Sequence, residues 1–177
     1  MIIGLTGTFG AGKDLAAQYL EQKGFEHYST ADVLREEARK EGLNTERETL
    51  RVFVNKLRQE KGDDYLAKEA TKRFKGDKIA VSALRSIGEI DYFKKRSDFT
   101  LIFVDAPIEI RYERIKDRAR AGEEKISFEE FKEKEELEMS GQSSQRLDYS
   151  KERADYIIEN AGAPEELYKK LDQIINY

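Results

Sequence analysis

Met1-Ile2-Ile3-Gly4-Leu5-Thr6-Gly7-Thr8-Phe9-Gly10-Ala11-Gly12-Lys13-Asp14-Leu15-Ala16-Ala17-Gln18-Tyr19-Leu20 opens the chain, and its reading decides the fold. The first six residues are an apolar run of strand length. From about Lys13 to Gln22, Leu15, Ala16, Tyr19 and Leu20 recur at helical spacing. Between strand and helix, Gly7, Gly10 and Gly12 free the backbone to curl so that successive N–H groups of Thr8, Phe9 and Ala11 point inward. The helix N-terminus adds partial positive charge and Lys13 a full one, which together make a cradle for polyphosphate. One position departs from the motif. Ser or Thr is expected after the lysine, where its hydroxyl reaches Mg²⁺, and this chain has Asp14 followed by Leu15.

At 177 residues the chain suits one well-buried core and is short for two ordinary domains. Charged residues make up 38% while the net charge is only −4, so the two signs are interspersed along solvated helices and no basic face is available for polymeric nucleic acid. The absence of cysteine excludes a disulfide framework and thiolate metal sites. No apolar stretch has the length or flanks of a signal peptide or membrane span, so a soluble cytoplasmic protein, monomer or homodimer, is expected.

Strand and helix signals alternate from end to end, the pattern of an α/β parallel sheet with crossover helices on both faces. Strands are expected at Phe25 to Ser29, Lys78 to Val81, Phe99 to Val104 and Asp155 to Ile158, after the first at Met1 to Thr6. Helices are expected at Ala31 to Lys40 and Tyr65 to Phe74, from Pro107 onward, and at the end with Leu167, Leu171, Ile174 and Ile175 on one side. Thr45-Glu46-Arg47-Glu48 and Ser86-Ile87-Gly88-Glu89 read as capping boxes, and Ser127-Phe128-Glu129-Glu130 as a further helix cap. Residues 41–76 place two helices in a row and interrupt the alternation. Residues 121–150 are Glu/Lys-rich with the polar run Ser140 to Gln145, which reads as a mobile flap.

A phosphate cradle serves many chemistries, so the acceptor side discriminates among them. Arg35, Arg85, Arg114 and Arg118 each fall just after a strand or within the next helix, toward the sheet edge where α/β proteins place ligands. Guanidinium groups bind phosphate oxygens bidentately and neutralise the charge of two anions brought together.

On the loop, on Thr30-Ala31-Asp32-Val33-Leu34-Arg35, on Ser82-Ala83-Leu84-Arg85, and on Asp105-Ala106-Pro107-Ile108-Glu109 with Arg114 and Arg118, the chain resembles the adenylate-kinase-like nucleoside monophosphate kinases. It has some likeness to dephospho-coenzyme A kinases. In the family these segments read Thr-Gly-Asp-x-Leu-Arg, Asp-Gly-x-x-Arg or Asp-Gly-x-Arg, and Asp-x-Pro-x-Glu followed by two arginines. The resemblance implies a P-loop NTPase fold, three layers α/β/α around a five-stranded parallel sheet, with an acceptor-binding helical insertion at 41–76 and a lid at 121–150. It implies ATP and Mg²⁺ as cofactors and a small-molecule nucleotide as acceptor. Gly7 to Lys13 with Asp14 and Leu15 would hold the ATP phosphates, Arg114 the donor base, and Ala163, in the turn after Ala154 to Asn160, the adenine. Thr30, Asp32, Arg35 and Arg85 would bind the acceptor, and Lys13, Arg85 and Arg118 would be catalytic.

Both usual tethers of the Mg²⁺ shell are changed, since Asp14 replaces the hydroxyl and Ser82 the acid expected after the third strand. Asp14 either ligates the metal or only stabilises the first turn of its helix. The single histidine, His27, reads as a strand-end residue, because an acceptor phosphate is already an anion and needs no base. Phosphoryl transfer to a nucleoside or deoxynucleoside monophosphate is the expected activity. The alternatives are dephospho-coenzyme A phosphorylation and an ATP-binding module without transfer chemistry.

Overall fold

The computed structural model describes residues 1–118, 126–139 and 146–176, without the side chains at 117, 118, 138 and 139. Among these residues strands β1 (Ile2–Gly7), β2 (Glu26–Ser29), β3 (Ile79–Ser82), β4 (Phe99–Asp105) and β5 (Tyr156–Glu159) form one parallel sheet in the order β2-β3-β1-β4-β5. The helices are α1 (Lys13–Gln22), α2 (Thr30–Lys40), α3 (Arg47–Lys61), α4 (Tyr65–Thr71), α5 (Ile87–Lys94), α6 (Ile108–Arg118), α7 (Phe128–Met139), α8 (Leu147–Arg153) and α9 (Pro164–Ile175). The α/β class and the five parallel strands are those the alternation calls for.

Side-chain alternation along the strands builds two cores. Ile3 and Leu5 of β1 join Ala80, Ile102, Val104 and Ile158 against Ala16 and Leu20 of α1 and Leu167 and Leu171 of α9. Ile2 joins Ile79, Val81, Leu101 and Phe99 on the opposite face, against Ile90 and Phe93 of α5. Every residue of β1 is therefore buried, the mark of a central parallel strand covered on both faces. Each large side chain so buried contributes roughly 1.5–3 kcal/mol. The stretch 41–76 carries smaller cores of its own, in which Val33 of α2 meets Val54 of α3 and Leu66 and Ala70 of α4. Ala38 meets Phe53 and Leu57 beside it.

The helix starts divide. At α5 the Ser86 hydroxyl accepts from the Glu89 N–H while the Glu89 carboxylate accepts from the Ser86 N–H, a complete capping box. Ser127 and Glu130 exchange the same pair of bonds before α7. The box expected at Thr45 to Glu48 does not form. Glu46 is the N-cap of α3 without a side-chain bond, and its own N–H is taken by Asn44 Oδ1 at 3.2 Å. The helix starts one residue later than that box requires, after an Asx turn at Asn44.

From β1 the chain lays β2 and β3 on one side and β4 and β5 on the other. The C-terminal end of β1 thus lies where the strand order reverses, the position at which open parallel sheets bind ligands. No described helix is long and apolar enough to cross a membrane.

Candidate functional site: a phosphate cradle and an arginine-bearing turn

The loop from Gly7 to Lys13 leaves the end of β1 with Gly7, Gly10 and Gly12 at φ of 133°, 81° and 98°, values that L side chains rarely adopt. All three are also required for space, a Cβ at Gly10 lying 2.9 Å from the Arg111 carbonyl oxygen. A Cβ at Gly7 would lie 2.0 Å from the Val104 carbonyl oxygen, and one at Gly12 would lie 2.5 Å from Asn160 Nδ2. The loop is closed from within by Lys13, whose Nζ donates to the carbonyls of Gly7 at 2.8 Å and Thr8 at 2.6 Å. The loop runs directly into the first turn of α1 at Lys13, so the partial positive charge of the helix end and the ammonium share one place.

Three buried or half-buried groups brace the loop from behind. Asn160, 4% exposed, donates its Nδ2 to the Ala11 carbonyl at 2.8 Å and its backbone N–H to the Asp105 carbonyl at 2.7 Å. Asp105, at the end of β4, accepts from Thr8 Oγ1 at 2.8 Å and from Lys151 Nζ of α8 at 3.0 Å. Burial pushes the Asp105 carboxyl up, but hydrogen bonds from Lys151 and Thr8 outweigh it and hold the group below the usual carboxylate range. Arg111, 3% exposed, donates its Nε to the Ala106 carbonyl at 2.7 Å and Nη1 to the Phe9 carbonyl at 3.3 Å, and its guanidinium pairs bidentately with Glu135 of α7.

Facing the loop is the turn Ser82-Ala83-Leu84-Arg85 after β3. Thr30 Oγ1, at the start of α2, donates to the Ala83 carbonyl at 2.8 Å, and Thr6 Oγ1 of β1 donates to the Leu84 carbonyl at 2.9 Å. Ala83 has φ of 63°, the left-handed region that costs an ordinary residue roughly 1–2 kcal/mol. Ala83→Gly is expected to raise the unfolding free energy by about 1 kcal/mol after the entropy of glycine is subtracted. Chemical denaturation would read this, and an unchanged midpoint would show that the turn carries no strain. Thr6, Gly7, Lys13, Ala83, Arg85 and Leu147 of α8 border one small cavity, so the glycine-lysine loop and the arginine-bearing turn line the same space.

Residues 3–139 match the family described as an AAA domain. A UPF0200 protein of Sulfurisphaera tokodaii is 33% identical over 98% of this chain and 95% of its own length. The chain belongs to the UPF0200 family. A UPF0200/UPF0201 protein of Archaeoglobus fulgidus is also 33% identical over 98% of the chain, which spans about half, 54%, of that longer protein. Among solved structures, TT1252 from Thermus thermophilus matches with a TM-score of 0.66 at 21% identity, covering 99% of this chain and 96% of the other. The shikimate kinase of Bacteroides thetaiotaomicron matches at 0.65 and 14%, covering 100% and 99%. At these identities the likeness fixes the fold of the UPF0200 chain as that of P-loop kinases.

Within this UPF0200 architecture, Gly7 to Leu15 form the loop and the start of α1. Asp14 is exposed in the first turn of that helix. Thr30 and Asp32 open α2, where Asp32 Oδ1 accepts from Arg35 Nη1 at 2.6 Å, an exposed pair that orients Arg35 at modest energetic value. Arg85 is exposed at its turn and borders the shared cavity. Arg114 lies on α6 with a buried Nη1 that has no hydrogen-bond partner among the described residues. Ala163 is the N-cap of α9. Arg118 ends α6 with its side chain outside the described residues, as are residues 119–125 and 140–145 of the 121–150 stretch. His27 Nε2 lies 2.8 Å from Ser82 Oγ, so the two side chains satisfy each other at the end of β3. Arg111, Asn160 and Lys151 escaped the sequence reading as site residues. Only the last residues of the Ala154 to Asn160 segment gave any signal for Asn160.

Proposed function

We propose that this chain transfers the γ-phosphoryl group of ATP to a nucleoside or deoxynucleoside monophosphate. The observation that carries this reading is the shared cavity, which the glycine-lysine loop and the Arg85 turn border together. A donor phosphate on the loop and an acceptor phosphate at Arg85 would there be held in line. Arg35, oriented by Asp32 at the start of α2, would grip the acceptor from the neighbouring strand end. The bond from Pγ to the β-bridging oxygen breaks, a bond to an anionic acceptor oxygen forms, and ADP leaves, so positioning and charge neutralisation suffice.

The residues fit ATP. The loop can follow its path only because three glycines carry no Cβ, Lys13 is already anchored beside it, and the orphaned Nη1 of Arg114 is a donor awaiting an acceptor. Among the described residues no three acidic or histidine side chains cluster as a metal cage. That suits Mg²⁺ carried by the nucleotide with several of its waters, for which Asp14 would be the single protein carboxylate. When bound, the ion supplies charge neutralisation across the β- and γ-phosphates. The stretch 121–150 would act as the lid that excludes water, with Arg118 reaching the transferring group, and residues 41–76 as the acceptor insertion.

The test is a turnover screen with Mg·ATP against ribo- and deoxyribonucleoside monophosphates, dephospho-coenzyme A and shikimate. A monophosphate is expected as the best acceptor, and Arg85→Ala is expected to lower kcat about 10²–10³-fold, as loss of one transition-state donor does, with ATP affinity unchanged. Turnover of dephospho-coenzyme A or shikimate alone would transfer the assignment to that acceptor. Tight ATP binding without product from any acceptor would make the chain a nucleotide-binding module.

A further inference from the structure

Glu89 is 1% exposed and lies directly under the Arg85 turn. Its Oε2 accepts the N–H of Arg85 at 2.8 Å and of Ser86 at 3.1 Å, while Oε1 faces Arg58 Nη2 of α3 at 3.4 Å. Arg58 is shared, because its Nε stands 3.4 Å from Asp63 Oδ1. Asp63 completes the joint by accepting the Gly88 N–H through Oδ2 at 2.6 Å and the Ser86 hydroxyl through its carbonyl at 3.0 Å. One guanidinium from the helical stretch 41–76 therefore serves two carboxylates, one of them wholly buried, at the root of the turn that carries Arg85.

We propose that Arg58 is a positioning residue that, by countering the charge of Glu89, fixes the direction in which Arg85 leaves the backbone and ties it to the placement of α3. A buried carboxylate without a cation is costly and relieves the cost by taking a proton or by moving. Either response weakens two charge-assisted bonds to consecutive backbone donors, of which the first is Arg85 itself. A guanidinium displaced by about 1 Å at a transfer site costs on the order of 10²-fold in rate, although nothing in contact with a ligand has changed. This rests on the reading above in which Arg85 holds the acceptor phosphate.

The experiment compares wild type, Arg58→Met and Arg58→Met/Glu89→Gln. In the double variant the glutamine oxygen accepts the same two N–H groups and carries no charge that needs a partner. Amide hydrogen exchange at residues 85 and 86 is expected to quicken about tenfold in Arg58→Met, the loss of roughly one bond's strength, and to recover in the double variant. With the best acceptor of the screen, kcat is expected to fall about 10–100-fold in Arg58→Met and to return to within about threefold of wild type in the double variant. ATP affinity, read with a fluorescent analogue, stays constant throughout. Unchanged exchange in Arg58→Met, or a double variant no better than the single, would overturn the proposal. If wild type turns over no acceptor while the exchange pattern holds, the functional reading fails and the joint stands.

Discussion

Gly7→Ala is expected to be the most damaging glycine-to-alanine change among the described residues, costing more than about 4 kcal/mol. The added carbon would lie 2.0 Å from the Val104 carbonyl oxygen and 2.8 Å from both the carbonyl carbon and the nitrogen of the same residue. All three are backbone atoms of a buried strand, so no side chain can swing aside. Gly7 pairs with Val104 in the parallel ladder, and relief requires that β1 and β4 part at the end that carries the loop. The φ of 133° adds a conformational penalty whatever the space. Denaturant unfolding measures the loss. A variant that folds within about 1 kcal/mol of wild type would mean that the β1–β4 contact is looser than described.

Arg111→Met is expected to follow, at about 2–4 kcal/mol, because it strands three acceptors at once. The Ala106 and Phe9 carbonyls lose their donors, and Glu135, whose side chain is only 18% exposed, loses its cation. Methionine fills much of the volume, so the cost reports on polar satisfaction more than on a cavity. The partner variant Glu135→Gln should cost less, since it leaves a neutral acceptor and the two backbone bonds intact. Because the Phe9 carbonyl lies in the loop, Arg111→Met should also weaken binding of ATP, measured at a temperature where the variant remains folded. Equal stability of wild type and Arg111→Met would show that the guanidinium contributes nothing net.

The contrast between Arg111 and Arg85 shows what a single sequence can and cannot display. Arg85 follows a strand and a turn signal, and Gly7 to Lys13 sit between a strand and a helix, so their local context announces them. Arg111 reads as one more arginine on a charged helix, yet it is buried because Glu135 returns to it from α7, 24 residues later. Lys151 and Asn160 are of the same kind, one reaching Asp105 from α8 and the other the Ala11 carbonyl from beyond β5. The caps divide by the same rule. Ser86 and Glu89 form their box because Glu89 is held in a buried joint, whereas Thr45 to Glu48 stand in an exposed start where Asn44 offers a nearer bond. The parallel sheet was legible from the alternation of apolar runs, while its strand order came only with tertiary pairing.

That strand order bears on how the molecule comes into being. The central strand, Ile2 to Gly7, has as its neighbours Ile79 to Val81 on one side and Phe99 to Val104 on the other, both far along the chain from it. A largely apolar ribbon with two unsatisfied edges must therefore wait for partners that are distant in sequence. The same centrality that places the loop at the crossing of the sheet leaves this segment sticky until those distant pairings form, and makes delayed, concentration-sensitive maturation the natural weakness of this topology.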